Sequence, residues 1–243
     1  MPPITSIPGA AAAAAAGSEA YDIEQDDASF TAGSMNAEFD GSLSPWALGG
    51  STVSGTADPI VVPTSPIADT STRSGSVLLQ PYEGATAQIY VALSLADGEE
   101  MIVSMSAPYA QGAGGNNDIG YGISLNNSTS AYSAGTYDYF YWDGGNEELD
   151  HWNGSVLVTR VTPDFHPGAR FYWRLIRSGD DIYVFFSFTG DVWCAFSEVD
   201  TVTRGHSYAW IFYKVAGLAQ SKQVGPMEVR WARHKSYDGM FPW

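Results

Sequence analysis

The middle of the chain gathers the side-chain types that proteins use to bind sugars. Aromatic rings stack on the apolar face of a sugar, and carboxylate and amide groups hydrogen-bond its hydroxyls. The alternative for any single ring is an ordinary place in the core or on a sheet surface, because the chain has 8 Trp, 14 Tyr and 11 Phe. Asn116 and Tyr139 belong to the same cluster of residues. We predict a glycan site formed by Asn117, Asp118, Tyr141, Trp142, Asp143, Asn146 and Trp152.

An acidic run within this stretch bears on catalysis: Glu148-Leu149-Asp150-His151-Trp152-Asn153. It is similar to the strand motif E-(I/L)-D-x-x-E of jelly-roll endo-glucanases of the laminarinase and lichenase type, whose first acid is the nucleophile and whose last is the acid/base. A retaining glycosidase needs two carboxyl groups about 5–5.5 Å apart. Asn153 stands at the acid/base position, and an amide cannot donate and recover a proton there. We therefore predict no catalytic residue and interpret the run as a solvated acidic loop.

Composition excludes several classes of partner. Acidic residues outnumber basic ones 27 to 11, and the net charge of −16 argues against nucleic acid, whose phosphates require Lys and Arg. The same charge argues against anionic membrane surfaces, and no apolar run approaches the roughly 20 residues that a transmembrane helix needs. The N-terminus lacks the basic segment of a signal peptide, which predicts a soluble protein made in the cytoplasm.

The cysteine and histidine content limits redox and zinc chemistry. Cys194 is the only cysteine, so no internal disulfide can form, and its place in an apolar alternating run predicts a buried side chain. The four histidines have no zinc-ligand spacing.

The clearest structural pattern runs from Phe171 to Phe196. Three apolar runs alternate with a period of two, which is the period of a β-strand. Gly179 and Gly190, each next to aspartate, separate the runs and suit tight hairpins. The stretch predicts a three-stranded antiparallel meander.

The rest of the chain adds further strand candidates and, beyond residue 27, no convincing helix. Asp97-Gly98-Glu99-Glu100 predicts a hairpin between two of them, and the continuous apolar run 208–213 predicts a strand buried on both faces. This census predicts two packed antiparallel sheets. The candidates outside the meander are 60–62, 77–79, 87–95, 101–106, 121–125, 137–142, 156–161, 208–213 and 227–231.

Two segments resemble the concanavalin-A-like lectin/glucanase superfamily. Phe39-Asp40-Gly41-Ser42-Leu43-Ser44-Pro45-Trp46 resembles its opening segment. Arg174-Leu175-Ile176-Arg177-Ser178-Gly179-Asp180, followed by Ser187 to Trp193, resembles R-L-x-R-x-G-(D/N)…S-x-D-G-x-x-W, with Thr189-Gly190 in place of the usual Asp-Gly. The resemblance implies an all-β, antiparallel two-sheet β-sandwich (a jelly roll) over residues 28–236.

Calcium is the one cofactor that the resemblance raises. Jelly-roll lectins often bind it through Asp, Asn and backbone oxygens, which suit a hard cation. Asn116-Asn117-Asp118 and Asp180-Asp181 are generic candidates, but no twelve-residue calcium loop is present. We predict no resident cofactor or metal and keep calcium as the alternative.

Residues 1–27 differ from the rest in being rich in proline and alanine. A flexible tail is one interpretation, since Ala10 to Ala16 is too short for a stable isolated helix. The segment also resembles the N-terminal module of bacteriophage tail-fibre proteins, I-(T/S)-x-L-P, a small-residue spacer, then G-x-E-x-x-x-(V/I)-x-Q-x-G. Ile7 replaces its leucine, and Asp26-Asp27 stands at its closing glycine. The matching residues implied in virion attachment are Ile4, Ile7, Pro8, Glu19, Tyr21, Ile23 and Gln25.

Together these resemblances predict a non-enzymatic phage virion protein, made in the host cytoplasm. An extended N-terminal arm would join it to other virion proteins, and a lectin-like sandwich would bind host-surface glycan. A homo-oligomer, a trimer for example, is expected, with residues 237–243 forming an aromatic tail that packs on the domain or a neighbouring subunit. The alternatives are a head decoration or fibre protein that stabilises the capsid, a tail-borne polysaccharide hydrolase, and a cellular carbohydrate-binding module, which the lack of a signal peptide disfavours.

Overall fold

The computed structural model gives the chain an almost entirely β architecture. Inside the described ranges, the helical segment α1 spans only Thr201–Arg204, and no helix is long and apolar enough to cross a membrane. The residues that the structure describes are 33–37, 39, 43–49, 60–61, 77–79, 81, 85–106, 110–111, 119–129, 137–144, 148–162, 170–190, 192–215, 223–224 and 227–237.

The first sheet has seven strands, and every neighbouring pair in it is antiparallel. Its central strands are long and regular, with β14 (Tyr208–Val215) held between β4 (Ala85–Ala92) and β7 (Ile119–Asn126) over eight residue pairs on each side. In spatial order the strands are β1 (Ala47–Leu48), β4 (Ala85–Ala92), β14 (Tyr208–Val215), β7 (Ile119–Asn126), β8 (Tyr137–Asp143), β9 (Glu148–Trp152) and β10 (Leu157–Val161).

The second sheet also has seven antiparallel strands, and β6 (Ala110–Gln111) pairs with β15 (Gln223–Val224) in a separate ribbon. A bulge between Val184 and Phe185 interrupts the register of β12 (Asp181–Ser187) with β13 (Cys194–Asp200). In spatial order the strands are β13 (Cys194–Asp200), β12 (Asp181–Ser187), β11 (Arg170–Ser178), β5 (Glu99–Ser106), β16 (Met227–Ser236), β3 (Val77–Leu79) and β2 (Ile60–Val61).

The hydrophobic core lies between the two sheets. Each strand sends alternate side chains inward, as the period-two patterns require. The ring of Phe140, from the first sheet, lies 6.5 Å from that of Trp173 and 6.3 Å from that of Phe196, both from the second sheet. Burial of such large rings supplies most of the free energy that holds the layers together.

The predicted all-β sandwich is confirmed. The meander forms as β11, β12 and β13, with Gly179 (φ 61°) and Gly190 (φ 85°) in its turns. The hydroxyl of Ser187 accepts hydrogen bonds from the amides of Thr189 and Gly190, at 3.2 and 2.8 Å. This capping gives the serine of the Ser187-to-Trp193 pattern a physical role.

The opening segment also packs as its resemblance implies. Phe39 and Trp46 are both buried and meet edge to face with ring centroids 6.3 Å apart, and the Trp46 indole donates to the Met35 carbonyl at 3.0 Å. Strand β1 follows at once. At the other end, the ring of Tyr237 lies 5.3 Å from the Arg174 guanidinium, so this first residue of the aromatic tail packs on the domain.

Three sequence-based expectations are wrong. The segment 97–100 does not close a hairpin between β4 and β5, because these strands lie in different sheets. The connection between them crosses from one sheet to the other and buries Leu95. Cys194 is exposed, since it lies on β13 at the edge of its sheet. The run 148–152 is strand β9 rather than a solvated loop, because pairing with both β8 and β10 satisfies its backbone.

Candidate functional site

The central strand of the first sheet has two glycines in the first half of its outer face. Strand β7 reads IGYGISLN, so Ile119, Tyr121 and Ile123 point into the core. Gly120 and Gly122 therefore occupy the opposite face, because successive side chains alternate across a strand. Two glycines two residues apart leave a trough along the outer surface of the sheet.

The strands on either side of β7 carry large side chains beside these glycines. Gly122 pairs with Phe212 of β14 and with Tyr141 of β8. Two residues away on the same face of the strand, Gly120 pairs with Lys214 on one side and Asp143 on the other. Residues that pair directly across strands point to the same face. Aromatic and charged side chains from two strands thus face each other across the glycine trough.

Aromatic rings close over the inner part of the trough. The Phe212 ring lies 5.6 Å from the Tyr139 ring and 6.3 Å from the Tyr141 ring. The backbone of β8 is close to Gly122, because a Cβ there would lie 2.7 Å from the Cα of Tyr141. At Gly120 a Cβ would meet the edge of the Tyr141 ring at 3.3 Å and the Trp142 carbonyl oxygen at 3.7 Å, so the trough is less crowded there than at Gly122.

A cavity of about 260 Å³ lies at this open end. Its walls combine aromatic rings with one carboxylate and one amine, the mixture that suits a small polyhydroxylated ligand. The ordinary size of ligand pockets begins near this volume, so the cavity suits a single sugar residue. The lining residues are Ile119, Gly120, Tyr139, Tyr141, Asp143, Trp152, Phe212 and Lys214.

The structure brings together only part of the residue set named from the sequence. Tyr141, Asp143 and Trp152 line one cavity, and Tyr139 joins them. Trp142 does not, because it points to the other face of β8 and lies in the core with 8% of its surface exposed. The remaining members, Asn117, Asp118 and Asn146, lie outside the described residues, as do the arm residues Ile4, Ile7, Pro8, Glu19, Tyr21, Ile23 and Gln25.

Sequence reasoning missed four lining residues: Ile119, Gly120, Phe212 and Lys214. Each had a signal in the sequence. The alternation of small and large residues in IGYGISLN indicates a strand with an empty face, and Lys214 is the only charge in YAWIFYKV. What the sequence did not supply was the pairing of β14 with β7, which are separated by about eighty residues in the chain.

An ion-pair cluster borders the cavity on β9 and β10. The Arg160 guanidinium holds Asp150 in a bidentate hydrogen bond, with both N···O distances 2.9 Å. Its Nε atom also lies 2.8 Å from Glu148 Oε2. The hydrogen bond to Asp150 raises the pKa of Arg160 above its already high ordinary value. Both acids of the glucanase-like run are therefore partners of one permanent cation.

The third position of that run has a structural role. The Oδ1 atom of Asn153 accepts hydrogen bonds from the amides of Ser155 and Val156, at 3.1 and 3.0 Å. These bonds shape the turn between β9 and β10. Asn153 thus organises the backbone at the position where the resembling glucanases have a proton donor.

The described carboxylates do not fit a calcium site. Calcium needs six to eight oxygen ligands, and within the described ranges no group of three or more acidic, histidine or cysteine side chains is arranged to hold a metal. At Glu148 and Asp150 the Arg160 guanidinium takes the place that a cation would need. Asp180 lies exposed in a hairpin turn, where its carbonyl accepts a hydrogen bond from the Thr201 amide at 2.8 Å. The candidates Asn116, Asn117 and Asp118 lie outside the described residues.

A second polar cluster is buried at one end of the sandwich around Asp138. Its carboxylate is within 3.0 Å of His151 Nε2, 2.6 Å of His206 Nε2 and 3.1 Å of Arg204 Nε. Burial opposes ionisation of Asp138, but the hydrogen bonds from the two histidines and the charge of Arg204 outweigh it, so its pKa lies well below the ordinary value. The His151 Nδ1 atom lies 2.6 Å from the hydroxyl of Ser197.

Comparison with known proteins shows the fold. No protein-family model matches the sequence, and no curated protein matches it. The Ca²⁺-bound exoplasmic/lumenal domain of VIP36 is similar to this chain with a TM-score of 0.54 at 12% identity, covering 86% of this chain and 91% of that one. Its Ca²⁺/Man3GlcNAc-bound form gives a TM-score of 0.53 at 11% identity, covering 83% and 87%. A winged bean acidic lectin complexed with methyl-α-D-galactose gives 0.49 at 10% identity, covering 67% and 87%. The two VIP36 comparisons show that the chain has the concanavalin-A-like sandwich fold.

Proposed function

We propose that this protein binds carbohydrate in the cavity over Gly120 and transforms nothing there. The observation that carries the proposal is the composition of the cavity wall. Tyr141 and Trp152 offer flat apolar faces, and buried Asp143 offers a carboxylate acceptor at the rim of the same space. A sugar presents an apolar face and a ring of hydroxyls, so these groups match it.

The fold supports this assignment by analogy. VIP36, which shares the sandwich, was crystallised with Man3GlcNAc. A common fold does not fix a ligand, and the argument for this chain rests on its own cavity. The proposal that no glycosidic bond is cleaved rests on Arg160, which pairs with Glu148 and Asp150, and on the amide of Asn153.

A glycan array with the intact protein and one aromatic variant tests the proposal. Trp152→Ala removes a cavity wall from a half-exposed position, so we expect it to abolish the array signal of the wild type while the thermal midpoint changes little. The matched control is Trp193→Ala, which removes a half-exposed tryptophan from the outer face of the second sheet, beside Arg174. Equal binding by both variants and the wild type, or no glycan bound by the wild type, would refute the proposal.

We further propose that residues 1–27 attach this domain to a phage virion. The support is the sequence pattern from Ile4 to Gln25. Deletion of residues 1–27 should prevent incorporation into particles and leave glycan binding unchanged. A protein that only decorates the head would instead leave host adsorption normal when it is absent altogether. Incorporation of the truncated protein at the wild-type level would remove the attachment role.

A further inference from the structure

Lys214 differs in its surroundings from several other cations of this acidic protein. Arg160, Arg174, Arg204 and Lys235 all lie against carboxylates, at 2.5 to 3.4 Å. Among the described residues, no carboxylate lies within ion-pair distance of the Lys214 amine, although acidic residues outnumber basic ones 27 to 11. This amine is instead part of the wall of the cavity over Gly120.

The cavity is therefore charged in opposite senses on its two sides. Lys214 and Asp143 both pair with Gly120, one from each neighbouring strand. Neighbouring strands lie about 4.8 Å apart, so the backbones that carry the two charges are separated by about 9.5 Å. Gly120 between them contributes no side chain to the intervening space, which is bordered by the edge of the Tyr141 ring. A ligand lying there meets a cation on its β14 side and a carboxylate acceptor on its β8 side.

We propose that the cavity selects sugars that carry an anionic group, either a carboxylate or a sulfate. The inference rests on the proposed function and names the class of sugar. The anion binds the Lys214 amine, the hydroxyls on the far side of the ring donate to Asp143, and the ring face packs on Tyr141 and Trp152. An ionised acceptor strengthens the hydrogen bond that an amine makes, because charge-assisted bonds are about twice as strong as neutral ones.

The net charge of −16 does not contradict this selectivity. Charges on the rest of the surface are screened beyond about 8 Å at physiological ionic strength, whereas an ion pair inside a cavity is screened far less. The overall charge slows the approach of an anion, and the local cation decides its affinity once it is bound.

The test compares sugars that differ in one group. Glucose, galactose and mannose are titrated by NMR against their uronic acids, which carry a carboxylate at C6, and against their 6-sulfates. For at least one of the three, we expect an anionic form to bind wild-type protein at least tenfold more tightly than the neutral sugar. The uronate and sulfate arms show which anion is preferred.

Variants assign the selectivity to the amine. Lys214→Met removes the charge and keeps the chain length, and it should abolish the tenfold preference. Lys214→Arg should retain it. Arg177→Gln changes the net charge equally on the second sheet, where Arg177 bonds the Leu95 carbonyl, and should leave the preference intact. If Lys214→Met does not fold, Lys214→Gln replaces it.

The outcomes separate this inference from the proposed function. Equal or tighter binding of the neutral sugars overturns the inference and leaves carbohydrate binding in place. A preference for anions that survives Lys214→Met, or that Arg177→Gln removes as well, also overturns it. Binding of no sugar in any arm overturns both.

Discussion

The Nδ1 atom of His151 lies 2.6 Å from the Oγ atom of Ser197, and this contact joins the two sheets of the sandwich. His151 comes from β9 in the first sheet, and Ser197 comes from edge strand β13 in the second. The other ring nitrogen of His151 is held by Asp138 at 3.0 Å. The sheets are therefore fastened at this end by polar contacts, in addition to the apolar packing of the core.

This arrangement predicts how stability depends on acid. The folded-state pKa of Asp138 is lowered, so an unfolded chain binds a proton more readily than the native protein does. The stabilisation from Asp138 is fully present above the ordinary aspartate pKa of about 3.9 and is lost as the pH falls below it. We expect Asp138→Asn to lower the unfolding free energy at pH 7 by about 3 kcal/mol, because it breaks a buried charged network.

Urea unfolding between pH 2.5 and pH 7 measures this effect. The acid dependence of Asp138→Asn should be shallower than that of the wild type, although not flat, because Glu99 also has a lowered pKa. That shift comes from the Ala96 amide first and His234 second. The control is Glu198→Gln, which removes an exposed acid from the same edge strand as Ser197. Identical acid limbs for wild type and Asp138→Asn would contradict the assignment.

The two glycines of the trough should respond differently to substitution. Gly120→Val adds a side chain in the less crowded part of the trough, where its Cβ would lie 3.3 Å from the edge of the Tyr141 ring. We expect loss of sugar binding with a stability change within about 1 kcal/mol, since β-branched residues suit strands. Gly122→Ala forces a Cβ against the backbone of Phe140 and Tyr141 and should cost about 1–3 kcal/mol.

Thermal unfolding and a sugar titration on both variants check this contrast. The test is which property each variant loses. Gly120→Val should lose sugar binding and keep its stability, whereas Gly122→Ala should lose stability. A Gly120→Val protein that still binds sugar normally would show that the cavity is not the site.

The sequence predicted which segments form strands better than it predicted how those strands pair. Alternation identified β11, β12 and β13, because the period of two is local and Gly179 closes its own hairpin. It failed at residues 97–100, where the same turn chemistry serves a crossing between sheets. Local pattern specifies that a strand exists, whereas the choice of partner strand depends on which core its inner face completes.

The same limit explains the partial success with the site. Tyr141 and Asp143 were found because their types suit sugars, but Trp142 between them has an equally suitable type and the wrong parity. Period two assigns neighbours to opposite faces, so the three could never have shared one surface. Phe212 and Lys214 entered the cavity through the pairing of β14 with β7, which is long-range information.

The face of its strand that each side chain occupies yields a prediction for two tryptophans. Trp142→Ala should lower the unfolding free energy by about 3–5 kcal/mol, because it leaves a cavity in the core. Trp152 lies at the outer face, so Trp152→Ala should lower the unfolding free energy by about 1 kcal/mol or less. Differential scanning calorimetry compares the two. A larger loss of stability for Trp152→Ala would mean that the faces of β8 and β9 are assigned the wrong way round.

We expect Arg160 to contribute more to the free energy of unfolding than the exposure of its side chain suggests. Its side chain is 40% exposed, but that of Asp150 is only 3% exposed, so removing the guanidinium leaves a buried carboxylate without its bidentate donor. We expect Arg160→Gln to cost about 2 kcal/mol at pH 7, the range for hydrogen bonds to charged groups. Arg160→Lys should recover only part, because an ammonium cannot reproduce the planar fork.

A double-mutant cycle isolates the pair. Because Asp150 without Arg160 is the costly species, Asp150→Asn in the Arg160→Gln background should restore stability relative to Arg160→Gln alone. Urea unfolding of the four proteins gives the coupling energy directly. Additive losses would mean that the cluster contributes through packing of the long arginine side chain. The paired-carboxylate argument against glycoside hydrolysis at Glu148 and Asp150 would then lose its support.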